Sequence, residues 1–127
     1  MTVLVVDDDK TTQIIHKMLV TRENLDVHVA ENGMQAIEWA ASGHTYDLIL
    51  MDMEMPVMNG LEATKALREM GITCTIVGVT SREEEVDVEA FIKAGANKCL
   101  VKPLNIKKLK LVLEEVASNV ASTSGAK

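Results

Sequence analysis

Residues 48–60 read LILMDMEMPVMNG. The unbroken apolar run at 48–51 suits a short strand buried on both faces; a half-exposed strand would alternate. The run stops on a carboxylate, Asp52. Pro56 and then Asn59-Gly60 turn the chain toward a helical segment at 59–70, where Leu61, Thr64 and Leu67 are spaced for burial. A buried strand that ends on an aspartate and leads into a helix is one unit of an alternating α/β fold.

The flanking sequence repeats that unit. TVLVV at 2–6 and TIVGVT at 75–80 are also continuous apolar runs, DVHVA at 26–30 alternates like a strand near an edge, and KCLV at 98–101 is short. Amphipathic segments separate them. Residues 10–22 offer Ile14, Ile15, Met18 and Leu19 as an apolar face, and 33–42 offer Ala36, Ile37, Ala40 and Ala41. Residues 83–94 end at Gly95, where a helix-terminating glycine belongs. Residues 105–117 carry Asn105 as a cap and Leu109, Val112, Leu113 and Val116 inward. Five strands alternating with five helices imply a doubly wound parallel sheet with right-handed crossovers. Ligands of such sheets bind beyond the carboxyl ends of the strands.

Those ends carry the chemistry. The first strand ends in Asp7, Asp8 and Asp9, the third in Asp52, the fourth in Thr80 and Ser81, and the fifth in Lys102 and Pro103. Carboxylates gathered at one rim repel, and each raises its neighbours' pKa. A hard divalent cation relieves the repulsion; Mg²⁺ takes oxygen ligands and serves phosphate chemistry. Helix N-capping is the competing reading for DDDK, and for Asp9 above all. Asp52 reads either as a nucleophile able to form an aspartyl-phosphate or as a cap at a strand–helix junction. A phosphoryl group on Asp52 would expose oxygens for the metal, for the Thr80 hydroxyl and for Lys102. The bland alternatives are a β-branched strand end for Thr80 and a solvated lysine for Lys102. Pro103 weighs against the latter, because it holds the preceding residue extended.

Composition narrows the classes. The chain has 127 residues, 47% of them hydrophobic, which fits one self-sufficient domain and not disorder. One Trp, one Tyr and one Phe leave no stacking platforms for single-stranded nucleic acid, and a net charge of −6 opposes binding to a phosphate backbone. No apolar run is long enough to span a bilayer, and no secretory leader is expected. Cys74 and Cys99 share no zinc or redox spacing, so a reducing compartment, cytoplasmic and/or nuclear, is expected. His16, His28 and His44 stand in different segments and read as helix surface or strand face. The eight methionines read as core filler, with Met51, Met53, Met55 and Met58 packed under the loop after Asp52. Glu83-Glu84-Glu85 reads as an acidic helix start.

Taken together, VVDDD at 5–9, LILMDMEMPVMNG at 48–60, VGVTS at 77–81 and LVKPL at 100–104 make the chain resemble the receiver domain of two-component response regulators. The resemblance implies a flavodoxin-like (βα)5 fold with strand order 2-1-3-4-5, a receiver at 1–117 and a short flexible tail at 118–127. It implies Asp52 as phosphoacceptor and Asp7, Asp8, Asp52 and the backbone carbonyl of Glu54 as the Mg²⁺ site, with Mn²⁺ as a substitute. Thr80 would be the switch hydroxyl and Lys102 the phosphate-pairing lysine, while the side chains of Glu54 and Arg82, with Ser81 nearby, would tune hydrolysis. Self-catalysed phosphoryl transfer and slow autodephosphorylation follow, rather than conventional enzyme turnover. The implied partner is a histidine phosphotransfer protein or histidine kinase, with a monomer favoured. One departure is sharp: Cys99 stands where the family usually carries a Tyr or Phe whose ring rotates inward. REMGITCTIVGVTS at 68–81 and AGANKCLVKPL at 94–104 look like plant relay receivers, most of all stand-alone type-C response regulators linked to cytokinin-type signalling. Three further readings remain: a phosphoryl sink that drains a phosphotransfer protein, a receiver module of a hybrid histidine kinase, and a small-ester phosphatase. The last lacks the second aspartate such enzymes place two residues after the nucleophile. FMN binding is opposed by three aspartates where a phosphate cradle would be needed.

Overall fold

The computed structural model describes residues 1–81 and 84–125, and side chains through residue 118. The elements run β1 (Thr2–Val6), α1 (Lys10–Arg22), β2 (Asp26–Ala30), α2 (Gly33–Ala41), β3 (Leu48–Asp52), α3 (Gly60–Glu69), β4 (Thr75–Thr80), α4 (Glu85–Ala94), β5 (Lys98–Val101) and α5 (Ile106–Gly125). The sheet is parallel throughout, in the order β2-β1-β3-β4-β5. This is the expected flavodoxin-like arrangement.

The continuous apolar runs have a direct cause. Side chains along β1, β3 and β4 alternate between two apolar cores. Leu4, Val6, Ile49, Met51 and Ile76 face Ala36, Ala63, Leu67 and Phe91 from α2, α3 and α4. Val3, Val5, Leu48, Leu50, Val77 and Val79 face Val20, Leu109, Val112 and Val116 from α1 and α5. A strand covered on both sides needs an apolar residue at every position. Met51, Met53 and Met55 are buried and Met58 packs beside them as core filler, but Met1, Met18, Met34 and Met70 are exposed, so only half of the eight methionines take that role.

On α1 the periodicity misleads. Ile14, Ile15 and Met18 are 59%, 46% and 54% exposed, and the buried residues are Gln13, His16 and Val20. Polar contacts set this rotation. The Asp9 carboxylate accepts from the Thr12 amide at 2.9 Å, and the Gln13 Nε2 amide donates to the Asp7 carbonyl at 2.6 Å. These tie the first turn to the end of β1 before apolar content can choose a face. His16 is therefore buried and not on the helix surface, and burial lowers its pKa. Ala41 likewise ends exposed at the last turn of α2, while Ala36 is buried.

Helix boundaries differ by small, explicable amounts. Asn59 is the N-cap of α3 and forms a reciprocal capping box with Glu62. α4 begins at Glu85, with Glu84 as a cap residue that makes no side-chain capping bond. Glu83, proposed as its start, lies outside the described residues, as do Arg82 and residues 126–127. Asn105 caps α5 as expected, accepting from the Lys108 amide at 2.8 Å. α5 continues through Gly125 and not Ala117; among the described side chains its buried stripe runs through Leu109, Val112 and Val116. The Lys102–Pro103 peptide is cis.

Between β3 and α3 the chain makes a γ-turn: Val57 has φ 72°, and the Met58 amide donates to the Pro56 carbonyl at 2.8 Å. A β-branched residue in that conformation is strained. Val57→Gly is expected to raise unfolding free energy by about 1 kcal/mol, since about 1–3 kcal/mol of strain is relieved and about 0.5–1 kcal/mol of unfolded-state freedom is added. Urea midpoints of parent and variant measure it.

Candidate functional site

The parallel register brings four strand ends to one rim. Val6 lies opposite Met51, Asp52 opposite Val79, and Thr80 opposite Val101. Asp7 thus follows β1 at the level of Asp52, with Thr80 one residue further along at the end of β4 and Lys102 just past the end of β5. The two outer strands of this group reach each other across the rim through Lys102.

Lys102 Nζ lies 2.9 Å from Asp7 Oδ2 and 3.0 Å from Asp52 Oδ1. Asp7 is buried, and its second oxygen accepts from the Asp9 amide at 2.9 Å. Asp52 is 7% exposed. Asp8 is exposed, yet carboxylate oxygens of Asp7, Asp8 and Asp52 all lie within 4.8 Å of one another. One ammonium thus faces three carboxylates. Burial, joined by the Asp7 charge, pushes the Asp52 pKa up to about 6 despite the hydrogen bond from Lys102. For Lys102, burial alone would lower the pKa, but its bonds to Asp7 and Asp52 prevail and raise it.

The capping alternatives separate cleanly. Asp9 is a cap: it accepts from the Thr12 hydroxyl and amide, and these bonds hold its pKa below the usual value. Asp7 and Asp8 do not share that role. Asp52 caps nothing, because Asn59 caps the helix that follows. Thr80 is buried at the end of β4, Ser81 is exposed beside it, and Glu54 is exposed in the loop two residues beyond Asp52. The Glu54 carboxylate is not one of the clustered three. An all-oxygen donor set with one lysine for charge relief fits a hard divalent cation such as Mg²⁺.

Two supports escaped the sequence reading. Gln13 braces the backbone of Asp7 from within α1; an amide at an i, i+3, i+7 spacing with His16 and Val20 was the available signal. Gly60 is the other. A Cβ there would overlap the Asp52 carbonyl oxygen, so only glycine lets α3 start against the back of Asp52. Sequence alone suggested only a turn.

Cys99 is half-buried on β5, opposite Gly78. Burial, and then the Asp87 charge, raise its thiol pKa. A Cβ at Gly78 would meet the Phe91 ring at 2.7–2.9 Å. An aromatic ring does fill this part of the layer, but α4 supplies it and β5 does not.

The geometry agrees with known proteins. The model of the response regulator receiver domain family matches residues 3–114. Two-component response regulator 24 of Arabidopsis thaliana is 48% identical over 116 residues, covering 91% of this chain and 84% of that protein. Two-component response regulator ORR41 of Oryza sativa is 40% identical, covering 87% and 90%. Among solved structures, the Francisella response regulator 1452 receiver domain superposes with a TM-score of 0.85 at 26% identity, covering 94% of this chain and 98% of that one.

A doubly wound sheet with an acidic rim and a bridging lysine defines a phosphorelay module. The chain belongs to the response regulator receiver domain family of two-component systems. Such domains interact with histidine kinases or phosphotransfer proteins and generally bind Mg²⁺. Among the described residues, no helix is long and apolar enough to cross a membrane.

The raised Asp52 pKa has a thermodynamic sign. Above about pH 6 the folded state must carry a carboxylate charge that its surroundings disfavour, whereas the unfolded chain carries it freely at any pH above the ordinary value of 3.8. A shift of this size costs at most about 3 kcal/mol, part of it offset by the contact with Lys102. Asp52→Asn, without divalent cation, is expected to be about 1–2 kcal/mol more stable than the parent above pH 6, with the gain fading as pH falls toward 3.8. Denaturant unfolding across that range tests it; a gain independent of pH would contradict the charge argument.

Proposed function

We propose that the protein accepts a phosphoryl group on Asp52 from a phosphohistidine and thereby switches its binding to partners, in a plant relay of the cytokinin type. The observation that carries this reading is the Lys102 ammonium bridging Asp7 and Asp52 beside a three-carboxylate cluster. An Asp52 oxygen attacks phosphorus, the phosphorus–nitrogen bond breaks, and the imidazole leaves and takes up a proton. Lys102 is already within reach of Asp52 and would follow a phosphoryl oxygen as the acyl phosphate forms. Thr80, at the next strand end, would donate its hydroxyl to another. Mg²⁺, or Mn²⁺ in its place, held by Asp7, Asp8, Asp52 and the Glu54 carbonyl, would neutralise charge on the transferring group. Ser81 and Arg82, which follow Thr80, together with the Glu54 side chain would tune hydrolysis. The plant assignment rests on the Arabidopsis and rice relatives.

The test is transfer from a phosphorylated plant histidine phosphotransfer protein in Mg²⁺. The parent takes up label; Asp52→Asn takes up none, and Lys102→Ala slows uptake by about 10²-fold or more, as expected when a charge-stabilising donor is removed. Labelling of Asp52→Asn at the parent's rate would sink the site assignment.

Cys99 in place of a ring on β5 supports a second role for the same site, a phosphoryl sink. A short-lived phospho-Asp52 with steady phosphate release from the phosphotransfer protein is expected there. A phospho-Asp52 that outlasts many donor turnovers argues for the switch instead.

A further inference from the structure

Two of the chain's three aromatic residues and two of its three histidines meet on the far flank of the sheet, at its β2 edge. The His28 ring, from β2, stacks on Trp39 of α2 with centroids 4.5 Å apart and planes 20° apart. It meets His44 and Tyr46, from the segment before β3, edge-on at 5.2 and 5.5 Å. The histidines that sequence spacing keeps apart therefore do form a cluster. Trp39 is pinned from below: its Nε1–H donates to the Val29 carbonyl at 3.2 Å.

Hydrogen bonds occupy one nitrogen of each imidazole. Ser42 Oγ lies 2.7 Å from the Trp39 carbonyl and 2.7 Å from His44 Nδ1. A serine hydroxyl has one proton, and a carbonyl can only accept it. Ser42 therefore donates to Trp39 and accepts from His44, so His44 carries its proton on Nδ1 and a lone pair on Nε2. His28 Nδ1 is held by the Tyr46 hydroxyl at 2.8 Å. Burial pushes the pKa of that hydroxyl up to about 12; where it accepts from Nδ1–H, the His28 lone pair is left on Nε2. Among the described residues no hydrogen bond engages Nε2 of either ring. Each imidazole thus has one nitrogen anchored on an oxygen and the other open, which is how metal-binding histidines are oriented by their surroundings.

We propose that His28 and His44 form a two-imidazole site for a borderline divalent transition metal, Zn²⁺ or Cu²⁺, with Tyr46 and Ser42 orienting the rings and water completing the coordination. Nitrogen donors set it apart from the all-oxygen rim at Asp7, Asp8 and Asp52, which suits Mg²⁺. The two sites would take different metals from the same solution.

Trp39 is the sole tryptophan and touches both rings, so its fluorescence reports the site. The full chain is titrated with Cu²⁺ in excess Mg²⁺, and Zn²⁺ is then added as competitor. Saturable quenching by one equivalent is expected, relieved by Zn²⁺ in large excess because Zn²⁺ binds such sites more weakly than Cu²⁺. His44→Gln, at an exposed position that leaves the fold intact, and His28→Gln both abolish saturation. Ser42→Ala and Tyr46→Phe weaken binding by about tenfold or more. Collisional, non-saturating quenching of the parent overturns the proposal, and so does saturation retained in both histidine variants.

Discussion

One ammonium group holds the working end of this molecule together. Lys102, delivered by β5 on one flank of the sheet, reaches Asp7 of β1 and Asp52 of β3 at hydrogen-bond distance. Without it, Asp7 and Asp52, both buried, would face each other and Asp8 with no local counter-charge. Removing the lysine would cost far more than the set contributes, because the carboxylates left behind would stay desolvated and repel one another. Burial first, and then the Asp7 charge, keeps the Asp52 pKa elevated even so. Three clustered carboxylates beside a single lysine suit a hard divalent cation.

Precision at the rim comes from backbone contacts. Gln13 fastens the Asp7 carbonyl from α1, and Gly60 lets α3 begin against the Asp52 carbonyl. The loop between Asp52 and Gly60 includes a strained γ-turn at Val57, which is 80% exposed. Strain held in the loop that follows Asp52 points to a backbone set by its anchors and not by local preference. Those anchors are the Asn59–Glu62 capping box on one side and β3 on the other.

The layer behind Thr80 departs from the family's habit. Phe91 of α4 lies over Gly78, the neighbour of Cys99 across the strand pair, so the ring volume reaches β4 from the helix.

How much was legible in advance follows from the range of the interactions involved. Strands covered on both faces must be apolar at every position, so TVLVV, LILM and TIVGVT announced a two-sided parallel sheet. The rule that such sheets bind at their carboxyl ends singled out Asp7, Asp8, Asp52, Thr80 and Lys102, and the structure brings all five to one rim. Composition and spacing read local covalent order, and these features are local. The facing of α1 was misread because two hydrogen bonds at its first turn outweigh three apolar side chains. Gln13, Gly60 and the ring over Gly78 could not be seen, since each depends on an atom far along the chain. The histidines looked scattered for the same reason: His28 and His44 are 16 residues apart in sequence, and only β2, α2 and the approach to β3 place their rings 5.2 Å apart. The sequence by itself determined the sheet, its order of elements and the chemical character of the rim. Only the tertiary structure decided which carboxylates share a lysine, which helix face is buried and which imidazole nitrogens stay open, because those outcomes rest on distances between residues that sequence does not place side by side.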